Sequence, residues 1–306
     1  MRLLQPKKLL KSVDRITVLD GAIVAVGWCD GRNPLLVVNG SPVQDQVCSR
    51  FRRMDVAAVH GQDFEFSGFR MAAVVKDVIT DNSTIGVRFE DGDIVGSSGI
   101  SVEARLVKVR NSFLEQVAKR RNASLIEIGS RSRSGNSYRH LFPTIAKYVG
   151  MDISAGPNVD LVADAHTLSH RVSEQFDFAF SISVFEHLIM PWVAAYELNK
   201  VLKTGGLAYI QSHPAWPLHE EPWDFFRFSR EAWSGLFNKF TGFEIVDSAY
   251  DHEASIVPRS KNNGPLQGID TQKTFLLSAC IARKIGEPLV NWSADPSEIY
   301  NIQYSH

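Results

Sequence analysis

The chain has 306 residues, beyond the roughly 100 to 200 of one typical domain, so two cores are expected. An apolar share of 44% and a charged share of 22% fit a folded globular chain and exclude a disordered, collagenous or membrane-spanning one. The formal net charge is -1, with 15 basic and 13 acidic residues up to position 110 and 18 and 21 after it, so neither half has the field that a polyanion requires and nucleic acid is not an expected partner.

Three cysteines, Cys29, Cys48 and Cys280, lack metal-ligand spacing and suit a reducing compartment, where they read as small core residues. Residues 1–11 carry charges without the apolar run of a secretory signal, and no stretch approaches the roughly 18 apolar residues of a membrane span. A cytoplasmic location is the expectation, and nothing fixes an oligomeric state.

From position 14 to about 103 short apolar runs alternate with Gly, Asp and Asn turns (ITVLDGAIVAVGW, PLLVVNG, DVAAVHG, FRMAAVVKDVI, TIGVRFEDG). Runs of this length and spacing predict an antiparallel sandwich or barrel, with no long amphipathic helix in it. After position 105 the texture changes. Residues 111–121 have a helical period with Phe113, Leu114 and Val117 on one face. Apolar strands follow at 124–128, 148–153, 159–163, 177–183, 207–211, 243–248 and 274–282. Candidate helices at 136–147 and 191–202 alternate with them, the pattern of βαβ units and a parallel sheet covered on both faces. The sixth and seventh strands are joined by a polar Gly/Pro-containing loop that lets the seventh run antiparallel. The expected architecture is therefore a small all-β sandwich-like domain over residues 1–106 and a seven-stranded α/β domain over 107–306.

In such a sheet the ligand lies beyond the carboxyl ends of the strands, so the residues that follow each strand carry the chemistry. After the first stand Glu127, Gly129, Ser130, Arg131 and Arg133, in a run whose small residues let the backbone approach a ligand. This run lacks GxGxxG, which counts against a nicotinamide or flavin dinucleotide. After the second stand Asp152 and Ile153. A carboxylate there accepts two hydrogen bonds from a ribose diol, and it equally suits a helix N-cap. After the third, Asp164 and Ala165 combine an acceptor for an adenine amine with a small apolar surface for its face.

These segments resemble the class I S-adenosylmethionine-dependent methyltransferases of the type 11 kind. ASLIEIGSRSRSG is similar to the first motif, YVGMDIS to the second, LVADAHTL to the third, and FDFAFSISVFEHL with VLKTGGLAYI to the fourth and fifth. The resemblance covers about half the chain, residues 123–282, and implies a Rossmann-like domain with S-adenosylmethionine as cofactor. It assigns Glu127 and Gly129 to the loop that receives the methionine part, Asp152 to the ribose, Asp164 and Ala165 to the adenine, and residues 181–185, beginning with Ser181, to the pocket after the fourth strand. The sequence departs from the motif where Arg131 and Arg133 stand at the second and third glycine places. Those cations either obstruct the cofactor or, for Arg131, pair with its carboxylate.

The densest run of reactive residue types, HPAWPLHEEPWDFFRF from His213, follows the fifth strand and is expected to overhang the pocket. Methyl transfer to a hydroxyl requires a base, and His is the best single residue for it near neutral pH. His187, His213 and His219 are the candidates. Asp224 and Arg227 either hold a polar substrate or pair with each other, and Trp216, Trp223, Phe225 and Phe228 either face a ligand or pack the segment down. The mix has no recognised metal-ligand spacing, so no metal is expected. The run also resembles a PxDxxRF-like stretch in methyltransferases of bacterial surface-polysaccharide pathways, and residues 27–69 resemble a β-sandwich module of glycan-modifying enzymes. Both resemblances imply a saccharide or another small polar acceptor. The alternative is a glycan-binding or scaffolding protein with an inert methyltransferase-like domain.

Overall fold

The computed structural model describes residues 9–19, 22–32, 34–75, 83–96, 101–102, 105–133, 135, 137–258, 266, 269 and 272–299. The chain divides into two compact units, one of residues 1–104 with 252–274, the other of residues 105–251 with 275–306.

The first unit is built from β1 (Lys11–Leu19), β2 (Ala22–Cys29), β3 (Leu35–Val38), β4 (Ser41–Pro42), β5 (Val47–Phe51), the short helix α1 (Met54–His60), β6 (Gly68–Val74), β7 (Ile85–Arg88), β8 (Ile94–Gly96) and β9 (Ser101–Val102). Two sheets form, in the orders β5-β6-β2-β1-β9 and β4-β3-β7-β8. Every described pairing is antiparallel except the two-residue contact of β1 with β9, which is parallel. Ile16, Ile23, Phe69 and Met71 of the first sheet share one apolar core with Leu36, Ile85 and Val87 of the second, so the unit is sandwich-like, as its turn-separated runs predict, although one of those runs, DVAAVHG, forms α1 rather than a strand.

The second unit comprises α2 (Arg105–Lys119), β10 (Ser124–Ile128), β11 (Lys147–Asp152), β12 (Leu161–Val162), β13 (Phe176–Ile182), α3 (Pro191–Val201), β14 (Leu202–Ser212), α4 (Ala232–Leu236) and all but the adjoining ends, 252–254 and 274, of β15 (Phe243–Ala254) and β16 (Thr274–Lys284). The strands form one seven-stranded sheet in the order β12-β11-β10-β13-β14-β16-β15. The pairings from β12 through β14 are parallel, and β16 runs antiparallel to β14. This is a doubly wound, Rossmann-like order, in keeping with the Rossmann-like domain that the resemblance implies. Strand order reverses between β10 and β13, which places the crevice of a doubly wound sheet at their carboxyl ends.

Period-two alternation explains how the sheet is covered twice. Ala208 and Ile210 enter one core with Leu198 and Val201 of α3 and Trp233 of α4, while Leu207 and Tyr209 enter the other with Leu106, Val109, Phe113 and Val117 of α2. The α2 residues recur at three- and four-residue steps, one helical face.

Two expectations need correction. The segment before β11 forms only a short 3-10 turn, Arg139–Leu141, among its described residues; Asn136, where the expected helix begins, lies outside them. Pro143 gives the segment little support as a helix, and Phe142 fills the core from the turn instead. Cys29 and Cys280 are buried as expected, but Cys48 is exposed, on the solvent side of β5. Among the described residues no helix is long and apolar enough to cross a membrane.

Candidate active site

A cavity of about 580 Å³ opens at the carboxyl ends of β10, β11 and β13, within the second unit. It is of the size of a cofactor or drug-sized ligand site. Its floor is the turn after β10. Gly129 has φ +83°, and a Cβ there would lie 2.1 Å from Val184 Cγ2, so both backbone and space require glycine. The Gly129 and Ser130 amides donate to the Met151 carbonyl at 2.8 and 3.0 Å, holding the turn against the end of β11.

Asp152 closes β11 and is buried. Its carboxylate accepts from the Ser154 amide at 3.0 Å and the Arg131 amide at 3.3 Å. A carboxylate has about four acceptor positions, so these two bonds orient it while leaving capacity for a diol. The Arg131 side chain turns inward, with Nε 3.6 Å from Asp152 Oδ1, an ion contact rather than a hydrogen bond. Arg133 reaches across to an ion pair with Glu220, in the loop after β14.

Glu127 lines the cavity from inside β10 and accepts a hydrogen bond from the Tyr148 hydroxyl. Burial pushes its carboxyl above the ordinary range, and the Tyr148 bond only partly offsets this. Ile153, Asp164 and Ala165 also line the wall. Asp164, however, is an N-cap: it accepts from the His166 amide at 2.8 Å and from His166 Nδ1 at 2.6 Å. The Met190 amide donates to His166 Nε2, which fixes the proton on Nδ1. From the end of β13 the wall is Ile182, Ser183 and Val184. Ser181 and Phe185, expected on it, are both fully buried, Phe185 in the core beneath α3. The Ser130 side chain is likewise buried away from the wall. A one-residue step in an extended strand inverts the side chain, so the wall begins one residue later than the motif suggests.

The three histidines come together on the opposite side. His213 Nδ1 donates to the Leu276 carbonyl at 3.2 Å, so Nε2 faces Ser183 Oγ and Glu186 Oε1, each at 3.2 Å. Its ring stacks on Trp216 with centroids 4.4 Å apart. His187 Nδ1 donates to the Trp223 carbonyl at 2.6 Å, and its Nε2 lies 4.0 Å from the same Glu186 Oε1. The His219 and His187 ring centroids are 4.8 Å apart. Glu186 is fully buried; its Oε2 accepts from Ser212 Oγ at 2.6 Å, while Oε1 faces His213 Nε2 at 3.2 Å. Burial opposes its ionisation, yet the contacts with His213 and Ser212 outweigh that and hold the carboxyl below its ordinary range.

Asp224 does not line the cavity. It is buried and pairs in bidentate fashion with Arg227 at 2.5 and 2.7 Å, and it accepts the His219 amide at 3.0 Å. Arg227 also donates to the Trp216 and Pro217 carbonyls at 3.2 Å. Of the two readings of this pair the geometry favours the loop pin: it fixes the turn that carries His219. Glu186 is the group that sequence reasoning passed over. Its position in the turn after β13, beside His187, was visible, but its partners Ser212 and His213 are distant in sequence.

Residues 126–210 match a family model described as a methyltransferase domain. No curated protein matches the chain by sequence. Among solved structures, the chain is similar to an S-adenosylmethionine-dependent methyltransferase from Archaeoglobus fulgidus, at 16% identity and TM-score 0.42, over 58% of this chain and 93% of that one. It is similar to the N-methyltransferase NodS from Bradyrhizobium japonicum, in complex with S-adenosylhomocysteine, at 14% identity and TM-score 0.39, over 60% and 89%. The magnesium protoporphyrin IX methyltransferase from Synechocystis, with bound S-adenosylmethionine, aligns at 10% identity and TM-score 0.39, over 59% and 78%.

Proposed function

We propose that this protein is an S-adenosylmethionine-dependent methyltransferase that methylates a hydroxyl of a saccharide or another small polar acceptor, in surface-polysaccharide biosynthesis. The observation that carries the reading is the meeting, in one cavity, of a glycine turn and a ribose-type carboxylate at the sheet's switch point with a histidine cluster on the facing loop. The residues present fit the cofactor: the Gly129 turn admits a ligand where any side chain would collide with Val184, and Asp152 keeps acceptor capacity. Glu127, Gly129, Arg131 and Asp152 would hold it, with Ile153 and Ala165 against its apolar face. When bound, the cofactor supplies an electrophilic methyl on a sulfonium that leaves as a neutral thioether.

The chain's own part is orientation and proton removal. His213 is held as the Nδ1–H tautomer by the Leu276 carbonyl, so the Nε2 lone pair is directed toward the cavity side, where Ser183 Oγ now occupies it. A proton accepted there is stabilised by Glu186, 3.2 Å away. Trp216 and Trp223 supply flat walls suited to a sugar ring face.

The inert-domain reading draws on one observation, the ion contact of Arg131 with Asp152. The two readings separate in calorimetry of the full chain with S-adenosylhomocysteine: binding with one site per chain is expected, and a folded sample that binds neither this nor S-adenosylmethionine would overturn the proposal. Mass spectrometry of saccharide acceptors incubated with enzyme and cofactor then tests the acceptor, by the gain of one methyl group.

A further inference from the structure

We infer that Glu186, His187 and His219 form a binding site for a divalent transition-metal ion. One candidate ligand atom from each lies within 4.8 Å of the others. The set is two imidazoles and one carboxylate, which suits zinc-class ions rather than magnesium or calcium.

Three features distinguish it from a chance cluster. Glu186 Oε1 is fully buried and faces imidazoles, with His213 Nε2 at 3.2 Å and His187 Nε2 at 4.0 Å. A buried carboxylate surrounded by imidazole nitrogens is costly unless positive charge is shared with it, from a ring proton or from an ion. His187 has its Nδ1–H committed to the Trp223 carbonyl, and His219 Nδ1 lies 3.2 Å from the Pro217 carbonyl, so each ring keeps Nε2 as a lone-pair donor. Backbone carbonyls on the far nitrogen are the usual outer support of metal-binding histidines. Finally, Ser212 fixes the other carboxylate oxygen, and Asp224 fixes the His219 backbone, so both outer groups are themselves held. Ligands about 2.1 Å from a tetrahedral centre sit about 3.4 Å apart, so binding draws the three together from their present spacing. His219, on the loop after β14, is the member best placed to move.

The ion would border the cavity, since His187 and His219 both line it. If the methyltransferase reading holds, an acceptor hydroxyl bound at the open position would lose its proton more readily, and His213 stands beside the same carboxylate to take it. The metal site itself does not depend on that reading.

The test uses the untagged full chain, stripped with chelator and titrated with Co²⁺ alone. One equivalent per chain is expected, with visible absorption of a tetrahedral or five-coordinate centre, reversal by Zn²⁺, and a paramagnetic shift of the His187 ring N–H, which needs no variant. H219A, altering a partly exposed loop residue, and E186Q, which keeps the acceptor for Ser212, should each weaken Co²⁺ binding roughly ten-fold or more. Absence of Co²⁺ binding, or equal affinity in the wild type and both variants, overturns the site. S-adenosylhomocysteine titrated into the same metal-free sample separates the two claims: its binding without Co²⁺ binding rejects only the metal site, and Co²⁺ binding without it rejects only the cofactor reading.

Discussion

Substituting Gly129 by Ala probes the turn that defines the cavity. The residue has φ +83°, and its added Cβ would stand 2.1 Å from Val184 Cγ2. Left-handed backbone costs a non-glycine residue about 1–2 kcal/mol, and crowding in a packed wall about 1–3 kcal/mol, so G129A should lose about 2–5 kcal/mol in total. The two parts can be separated, because the obstructing methyl belongs to one side chain. In a V184A background only the backbone part should remain, about 1–2 kcal/mol. The assay is urea unfolding of wild type, both single variants and the double variant, followed by tryptophan fluorescence. Five of the six tryptophans lie in the second unit, and Trp233 is fully buried there, so the signal reports the unit in question. If G129A costs the same in both backgrounds, within about 0.5 kcal/mol, the collision with Val184 is not what makes glycine necessary.

Three further outcomes are expected. D152A should weaken S-adenosylhomocysteine binding by roughly 1–3 kcal/mol, measured by calorimetry, because a charged acceptor is lost from a buried contact; unchanged affinity would remove Asp152 from the site. Asp224 is held far below the ordinary carboxylate range, chiefly by its hydrogen bonds with Arg227. A depressed folded-state value means that its stabilisation is complete above the unfolded value of about 3.9 and lost as pH falls below it. The stability gap between wild type and D224N should therefore stay level from about pH 6 to 8 and close only in acid, below about pH 4; a gap that changes near neutrality would implicate another group. R133A should shift the unfolding free energy by less than about 1 kcal/mol, since the Arg133 and Glu220 side chains are 52% and 38% exposed; a larger loss would show that this pair holds the two loops.

The parts of the fold that were legible in the sequence are those written in local periodicity. The runs at β10, β13 and β14 are apolar on both faces, which only a doubly covered sheet explains; β10 and β13 were placed to within a residue, whereas β14 begins at Leu202, well before the expected 207. The Gly129 turn and Asp152 were legible for the same reason: they follow strands whose ends could be read. What escaped depended on encounters between distant segments. Asp164 satisfies a local cap and the His166 ring, and nothing in LVADAHTL distinguishes that from an adenine contact. Glu186 draws its meaning from Ser212 and His213, on the neighbouring strand and the loop after it, and its grouping with His219 comes from a loop that Asp224 and Arg227 hold. No spacing rule within one segment encodes it.

The arginines in the glycine loop illustrate how a local departure is absorbed. Arg131 stands where the motif has glycine, and its stem runs over Gly156: a Cβ on that residue would lie 2.6 Å from Arg131 Cγ and 3.1 Å from Cδ. The space that the loop gave up by replacing a glycine is thus recovered from the facing segment, where any other residue would collide. The aliphatic stem occupies that groove, and the guanidinium is carried to the edge of Asp152. There Nε lies 3.6 Å from Oδ1, an ion contact beside the two amide hydrogen bonds that orient the same carboxylate. A position that looks like an obstruction in the sequence therefore packs beside the carboxylate proposed to receive the ribose.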